Sequence, residues 1–275
     1  MTLSLSEILN GKQPVVMGIL NTTPDSFSDG GRYTQVETAV QHALQMQAEG
    51  ALMIDIGGES TRPGAQSVSV EDEINRVVPV IERLRQQSDI FISIDTSKPE
   101  VMRAAVNAGA NLINDVNGLR APGVLEACAE LGVPVCIMHM QGEPRSMQNK
   151  PEYTSVVDDI HQFLQQRVED CVASGIRRDN ILLDPGFGFG KNLQHNLQLL
   201  KQLDAFNDLQ LPVLVGLSRK SMFASILDGA PVEERLHASI AAAVISCMKG
   251  AKVFRVHDVK PTLDALKVCT AVDSA

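Results

Sequence analysis

The run Asp184-Pro185-Gly186-Phe187-Gly188-Phe189-Gly190-Lys191 puts a carboxylate at the end of the apolar stretch Ile181-Leu182-Leu183 and follows it with a chain breaker and three glycines. The apolar triplet reads as a strand buried on both faces, which Pro185 and Gly186 end. Asp184 therefore stands at a strand's C-terminal tip. The glycines bring backbone close to a ligand, and the two phenylalanine rings offer flat apolar walls. Alone, the stretch reads equally as a tight strand-to-helix turn with a capping aspartate. The pattern recurs, however: Asn21, Asp55, Asp95, Asn114, Asp115, His139, Lys220, Arg255 and His257 also fall at or just past the ends of short apolar runs. Several carboxylates and amides with few cations call for a ligand rich in N–H donors. Lys220, Arg255 and His257 suit phosphate, and Ser221, where a helix begins, suits a second anion at about 0.3 to 1 kcal/mol from the helix dipole.

The elements that must position these groups alternate regularly. Strands are expected at 15–20, 52–57, 91–95, 112–115, 135–139, 181–184, 213–216 and 253–256. Between them, apolar residues at helical spacing predict helices at 36–47, from Ser69 through 81, after Ser97, at 123–131, 155–174 and 193–203, in segments up to 249, and at 259–272. Ser69 with Asp72, and Ser97 with Glu100, read as helix caps. Eight strand–helix units without a linker in 275 residues match a single-domain (β/α)8 barrel. Such a barrel aims every strand end at one rim, with phosphate most often held after its last two strands. A doubly wound open sheet competes, but even spacing and the lack of a GxGxxG fingerprint count against it.

Composition narrows the partners. With 24 basic and 33 acidic residues the net charge is -9, and no basic cluster interleaves with aromatics, so a nucleic-acid surface is not expected. Cys128, Cys136, Cys171, Cys247 and Cys269 form no CxxC and read as reduced, mostly buried thiols. Residues 1–12 show no basic region before a long apolar run, and the apolar run 238–248 is too short to span a bilayer. A cytoplasmic protein, with no membrane partner, is expected.

The polar loops carry a more specific signal. Asn21-Thr22-Thr23-Pro24-Asp25-Ser26-Phe27-Ser28-Asp29-Gly30-Gly31, Gly57-Gly58-Glu59-Ser60-Thr61-Arg62-Pro63-Gly64, Ser93-Ile94-Asp95-Thr96-Ser97-Lys98, Ile113-Asn114-Asp115 and Met138-His139-Met140 are followed by the Asp184 to Lys191 run, Ser218-Arg219-Lys220-Ser221 and Arg255-Val256-His257-Asp258. In this order they resemble the bacterial dihydropteroate synthases, from about Val15 to the end of the barrel. The resemblance implies condensation of 4-aminobenzoate with 6-hydroxymethyl-7,8-dihydropterin diphosphate, with Mg2+, in a sulfonamide-targeted homodimer of folate biosynthesis. It also implies roles for individual residues. Asp184 pairs with the pterin's ring N–H and amine, Asn114 reads the neighbouring edge, and Lys220 reaches the carbonyl and ring nitrogen. Asp95 stabilises positive charge on the ring, and Arg255, His257 and Thr61 hold the diphosphate. Asn21 serves the magnesium, while Ser218, Ser221, Phe189 and Pro63 frame the aminobenzoate. Arg62 joins the substrate-binding set, and Asp95, Lys220 and Arg255 form the catalytic one.

Other residues have plainer readings. His139 reads as a packed rim histidine, Asp55 and Asp115 as strand-end caps or partners behind the site, and Arg219 as a surface or inter-element ion pair. Asp25 and Asp29 are turn formers or neighbours of a magnesium diphosphate. The loops carrying Phe27 and Pro63 are expected to close over the leaving group and exclude water. Three rival functions remain: a methyltetrahydrofolate:corrinoid methyltransferase-like barrel, a metal hydrolase using His139 and His257, and a non-catalytic pterin-binding paralogue.

Overall fold

The computed structural model describes residues 4–11, 13–23, 32–60, 66–142, 147 and 150–275. Eight parallel strands, β1 (Val15–Asn21), β2 (Met53–Gly57), β3 (Phe91–Asp95), β4 (Leu112–Asp115), β5 (Val135–Met138), β6 (Ile181–Asp184), β7 (Leu214–Val215) and β8 (Val253–Val256), run in the order β6-β5-β4-β3-β2-β1-β8-β7. A parallel bridge between Leu183 and Val213, with Leu183 N donating to the Pro212 carbonyl at 3.0 Å, joins β6 to β7 and closes the barrel. The eight expected strands are thus found, within a residue or two.

Alternation along each strand divides its side chains between two cores. Outward residues such as Ile54, Ile56, Ile92, Ile94, Val135, Ile137 and Phe254 pack against the ring of helices. Inward residues Val15, Met17, Met53, Phe91, Leu112, Cys136, Leu182, Leu214 and Val253 fill the lower barrel. Helix α1 (Leu5–Leu9), capped by Ser4 and Glu7, adds Leu5 and Ile8 to that plug. Further up the same inward faces the side chains turn polar: Asp55 follows Met53 by two, Asp95 follows Phe91 by four, Asn114 follows Leu112, Asp184 follows Leu182 and Arg255 follows Val253. The barrel is therefore sealed at one end and chemical at the other.

The helices in order are α2 (Arg32–Ala48), α3 (Val70–Arg85), α4 (Pro99–Asn107), α5 (Val124–Leu131), α6 (Val156–Ala173), α7 (Leu193–Lys201), α8 (Met222–Ile226), α9 (Leu236–Met248) and α10 (Val259–Asp273). Ser69 caps α3 as expected, accepting from Asp72 N at 3.1 Å. The cap expected of Ser97 on α4 is not formed. Lys98 takes the N-cap without a side-chain bond, and the Ser97 hydroxyl donates instead to Asp115. Asp115 is fully buried and needs donors more than a half-buried helix end, which water still reaches, does.

Candidate active site

Four strand ends meet in one hydrogen-bonded cluster at the barrel mouth. Arg255 on β8 donates through Nε to Asp55 Oδ2 at 2.5 Å and through Nη2 to Asp95 Oδ2 at 2.8 Å. Asp55 also accepts from Ser93 Oγ at 2.5 Å and from Asn114 Nδ2 at 3.3 and 3.4 Å. Register explains the convergence: Asp55 pairs with Ser93 across β2 and β3, and Asp95 with Asn114 across β3 and β4, so each pair projects inward side by side. Burial works against the Arg255 charge, but Asp55 and Asp95 more than offset it and hold the guanidinium above its ordinary value.

The facing wall comes from β6 and β7. Asp184 Oδ1 accepts from Gly186 N at 2.7 Å, and no described residue is hydrogen-bonded to its Oδ2. Burial raises the Asp184 carboxyl, opposed by that backbone bond and by Lys220, Lys191 and Arg255. Lys220 Nζ lies 4.3 Å from the centroid of the Phe189 ring. Burial, with Arg255 nearby, lowers it to about 8 against the pull of Asp184 and Asp95. Burial lifts Asp95 to about 7, with Arg255 opposing. Asp95, Asn114, Asp184, Lys220 and Arg255 thus share one mouth.

The glycines after Asp184 are used as their types require. Gly186 has φ +72°, and a Cβ there would lie 1.9 Å from the His139 carbonyl oxygen. The loop therefore lies directly on the end of β5.

The remaining expectations divide. Ser218 Oγ is 2.9 Å from His257 Nδ1 and accepts from His257 N at 3.2 Å, so these two residues join the loops beyond β7 and β8. Arg219 is an inter-element ion pair, gripping Asp258 at 2.6 and 3.0 Å. Ser221 is exposed immediately before α8, and Asn21 is exposed as the last residue of β1. Thr61, Arg62 and Pro63, with Asp25, Phe27 and Asp29, lie outside the described residues. His139 is a buried rim histidine whose Nδ1 faces Lys191. His139 and His257 face different partners at β5 and β8, which is not the paired arrangement a metal hydrolase needs.

Asp115 and Asp55 part company. Asp115 follows inward Asn114 by one and so turns away from the lumen, where it binds Ser97, Asn117 N and Leu119 N and ties down the loop after β4. Asp55 belongs to the lumen and holds two of the expected binding residues. Counting by twos back from the barrel mouth would have separated them. Lys191 was missed, because its burial depends on how its loop folds back over β5.

The comparisons with known proteins agree with this geometry. Residues 17–257 match the family model described as pterin binding enzyme. The dihydropteroate synthase of Escherichia coli (strain K12) is 52% identical over 267 residues, covering 97% of this chain and 94% of that protein. The structure of Yersinia pestis dihydropteroate synthase with a sulfonamide drug complex superposes with a TM-score of 0.92 at 53% identity, covering 100% of this chain and 98% of the other. That of Xanthomonas albilineans dihydropteroate synthase in complex with 7,8-dihydropteroate gives 0.88 at 48% identity, over 97% and 95%. With this barrel, this mouth and these relatives, the chain belongs to the dihydropteroate synthase family of pterin-binding enzymes.

Proposed function

We propose that the mouth joins 4-aminobenzoate to 6-hydroxymethyl-7,8-dihydropterin diphosphate, giving 7,8-dihydropteroate and diphosphate. The observation that carries this reading is the sharing of one mouth by Asp95, Asn114, Asp184, Lys220 and Arg255. The free Oδ2 of Asp184 is an acceptor for the pterin's ring N–H and amine. Asn114 turns its Nδ2 to Asp55, which leaves its amide oxygen for a neighbouring donor. Lys220 serves the carbonyl and ring nitrogen.

As the pterin's methylene C–O bond breaks, both electrons leave with diphosphate and positive charge develops on the methylene and ring. Paired opposite charges fixed in a dry site stabilise such a separation without reorganising. Asp95 faces the cation, while Arg255, His257 and Thr61 hold the leaving group. The aminobenzoate nitrogen then bonds to the methylene and releases a proton. An aromatic amine is already neutral near pH 7, so no strong general base is needed. Phe189, Pro63, Ser218 and Ser221 frame this second substrate, and Arg62 belongs to the substrate-binding set.

The donor set fits magnesium as a partner of diphosphate. Mg2+ keeps several waters and takes its other ligands largely from phosphates. Asn21, exposed as the last residue of β1, brings an amide oxygen as a ligand, and among the described residues no three His, Cys, Asp or Glu side chains cluster as a cage. When bound, the ion would neutralise charge on the leaving diphosphate.

A homodimer is supported by exposed Ile245 and Met248 on α9 and Val268 and Val272 on α10, two helices packed side by side. Sedimentation at the monomer mass would overturn it. The five free cysteines support a reducing, cytoplasmic setting. No helix among the described residues is long and apolar enough to cross a membrane.

The test of the reaction is a coupled assay for diphosphate release. Release that depends on added 4-aminobenzoate is expected; release without it, or none with both substrates, overturns the assignment.

A further inference from the structure

Lys191 is only 2% exposed and has no carboxylate within hydrogen-bond distance among the described residues. Its Nζ lies 2.8 Å from the Gly186 carbonyl oxygen, 3.0 Å from that of Phe189, 3.0 Å from His139 Nδ1 and 3.4 Å from the His139 carbonyl oxygen. An ammonium has three donors, so the three shorter contacts use them all. Burial, with Lys191 and Arg120 nearby, drives His139 down to about 2, and its neutral ring meets the amine as an acceptor. An unpaired buried cation is costly. A chain needing only to fill this space would place an apolar side chain there.

What Lys191 gathers is the loop that aims the site. Gly186 donates to Asp184 Oδ1, Gly188 and Phe189 lie against Lys220, and Tyr153 fixes the loop's far end by donating to the Gly190 carbonyl at 2.7 Å. We propose that Lys191 is a positioning residue of the pterin pocket: drawing the Gly186 and Phe189 carbonyls and the His139 ring onto one ammonium sets the aim of the Asp184 carboxylate and the Phe189 ring. The inference rests on the assignment of this mouth to the pterin.

The role is electrostatic as well as geometric. The groups facing Asp184 are Lys191 from its own loop, Lys220 beyond β7, Arg255 on β8 and the Cys136 thiol on β5. Lys191 in turn is faced by Asp184, Lys220, His139 and His195. Burial drives the Lys191 amine well below its ordinary value, with Asp184 opposing and Lys220 adding to the fall, so its proton is held by the carbonyl and imidazole contacts and by Asp184. Losing that charge removes one of three cations that favour ionised Asp184.

The test compares wild type, Lys191→Met and Lys191→Gln in steady-state kinetics with both substrates, and in the affinity for pterin diphosphate as a function of pH. Lys191→Met should raise KM for pterin diphosphate by ~10-fold or more while changing kcat less than about threefold. It should also move the acidic limb of pterin affinity to higher pH. Lys191→Gln, with donors but no charge, should recover part of the KM while the limb stays displaced. A folded variant of lower Tm with wild-type KM and an unmoved limb overturns the proposal in favour of a purely structural role. If Lys191→Met does not fold, the limb of Lys191→Gln decides. An Asp184→Asn control separates the two readings: if it loses pterin affinity while the Lys191 variants do not, the pocket stands and the role of Lys191 falls. Wild type that does not bind pterin diphosphate overturns both.

Discussion

Arg255 Nε donates to Asp55 Oδ2 at 2.5 Å, joining side chains 200 positions apart in sequence. Asp55 is fully buried and is placed to hold the guanidinium rather than to meet a ligand. Removing Asp55 leaves Arg255 with Asp95 alone and takes the acceptor from Ser93 and Asn114; breaking a buried pair in this way costs about 3 kcal/mol or more, roughly 6 to 12 °C in Tm for a domain of this size. Asp55→Ala should show that loss. Its kcat/KM for pterin diphosphate should also fall by ~10- to 100-fold, since Arg255 loses its aim. Wild-type kinetics in a folded variant would show that Asp95 alone suffices.

Asp184→Ala tests the group at the centre of the pterin reading. Deleting a charge-assisted pair worth roughly 2 to 4 kcal/mol should lower kcat/KM by about 30- to 1000-fold. Asp184→Asn keeps an acceptor for Gly186 N and should fold nearly as well as wild type, yet bind pterin poorly. Near-wild-type turnover in either variant refutes the assignment.

The working state pairs an ionised Asp95 with a protonated Lys220, whose values stand at about 7 and about 8. The kcat/KM for pterin diphosphate should therefore rise with pH through about 7 and fall through about 8, giving a narrow bell. Lys220→Arg should remove the alkaline limb. A profile flat from about pH 6 to about pH 9 would rule out both groups as its source. Stability carries the same signature. The folded value of Asp95 lies above the ordinary 3.8, so the folded chain binds more protons between 3.8 and about 7. The stability from this group is complete below that window and is lost as pH rises through it. Lys220 lies below the ordinary 10.5, so its penalty lifts as pH climbs from about 8 towards 10.5. Thermal melts of Asp95→Asn and wild type should differ least near pH 4 and diverge in the variant's favour above about pH 7.

These groups were legible in the sequence to different depths. The strands were plain because each is a short apolar run bounded by breakers, and barrel topology then brought Asp95, Asn114, Asp184 and Arg255 to one rim. α1 was not read as a helix, being only five residues long, although its Ser4 and Glu7 cap is visible in the sequence. Ser97 looked like a cap until tertiary structure offered its hydroxyl a buried carboxylate in Asp115, a competition no local pattern records. Lys191 is the furthest case. No local pattern marks Lys191 for burial, and only the fold of its loop over His139 encloses it.

The same loop supplies the last prediction. Gly186 and Gly123 both have positive φ, at +72° and +78°, so alanine is strained at either. Around Gly123 a Cβ meets nothing within 4 Å, whereas at Gly186 it would lie 1.9 Å from the His139 carbonyl oxygen. Gly123→Ala should therefore cost only the left-handed penalty of about 1 to 2 kcal/mol and leave kinetics unchanged. Gly186→Ala adds a clash with backbone that cannot yield without moving β5's end. Such local strain adds to the destabilisation, so a loss beyond about 3 kcal/mol is expected. The shift also pulls Gly186 N from Asp184 and raises KM for pterin diphosphate. Equal melting temperatures and equal KM values for the two variants would show that the loop after β6 is not seated on His139 as described.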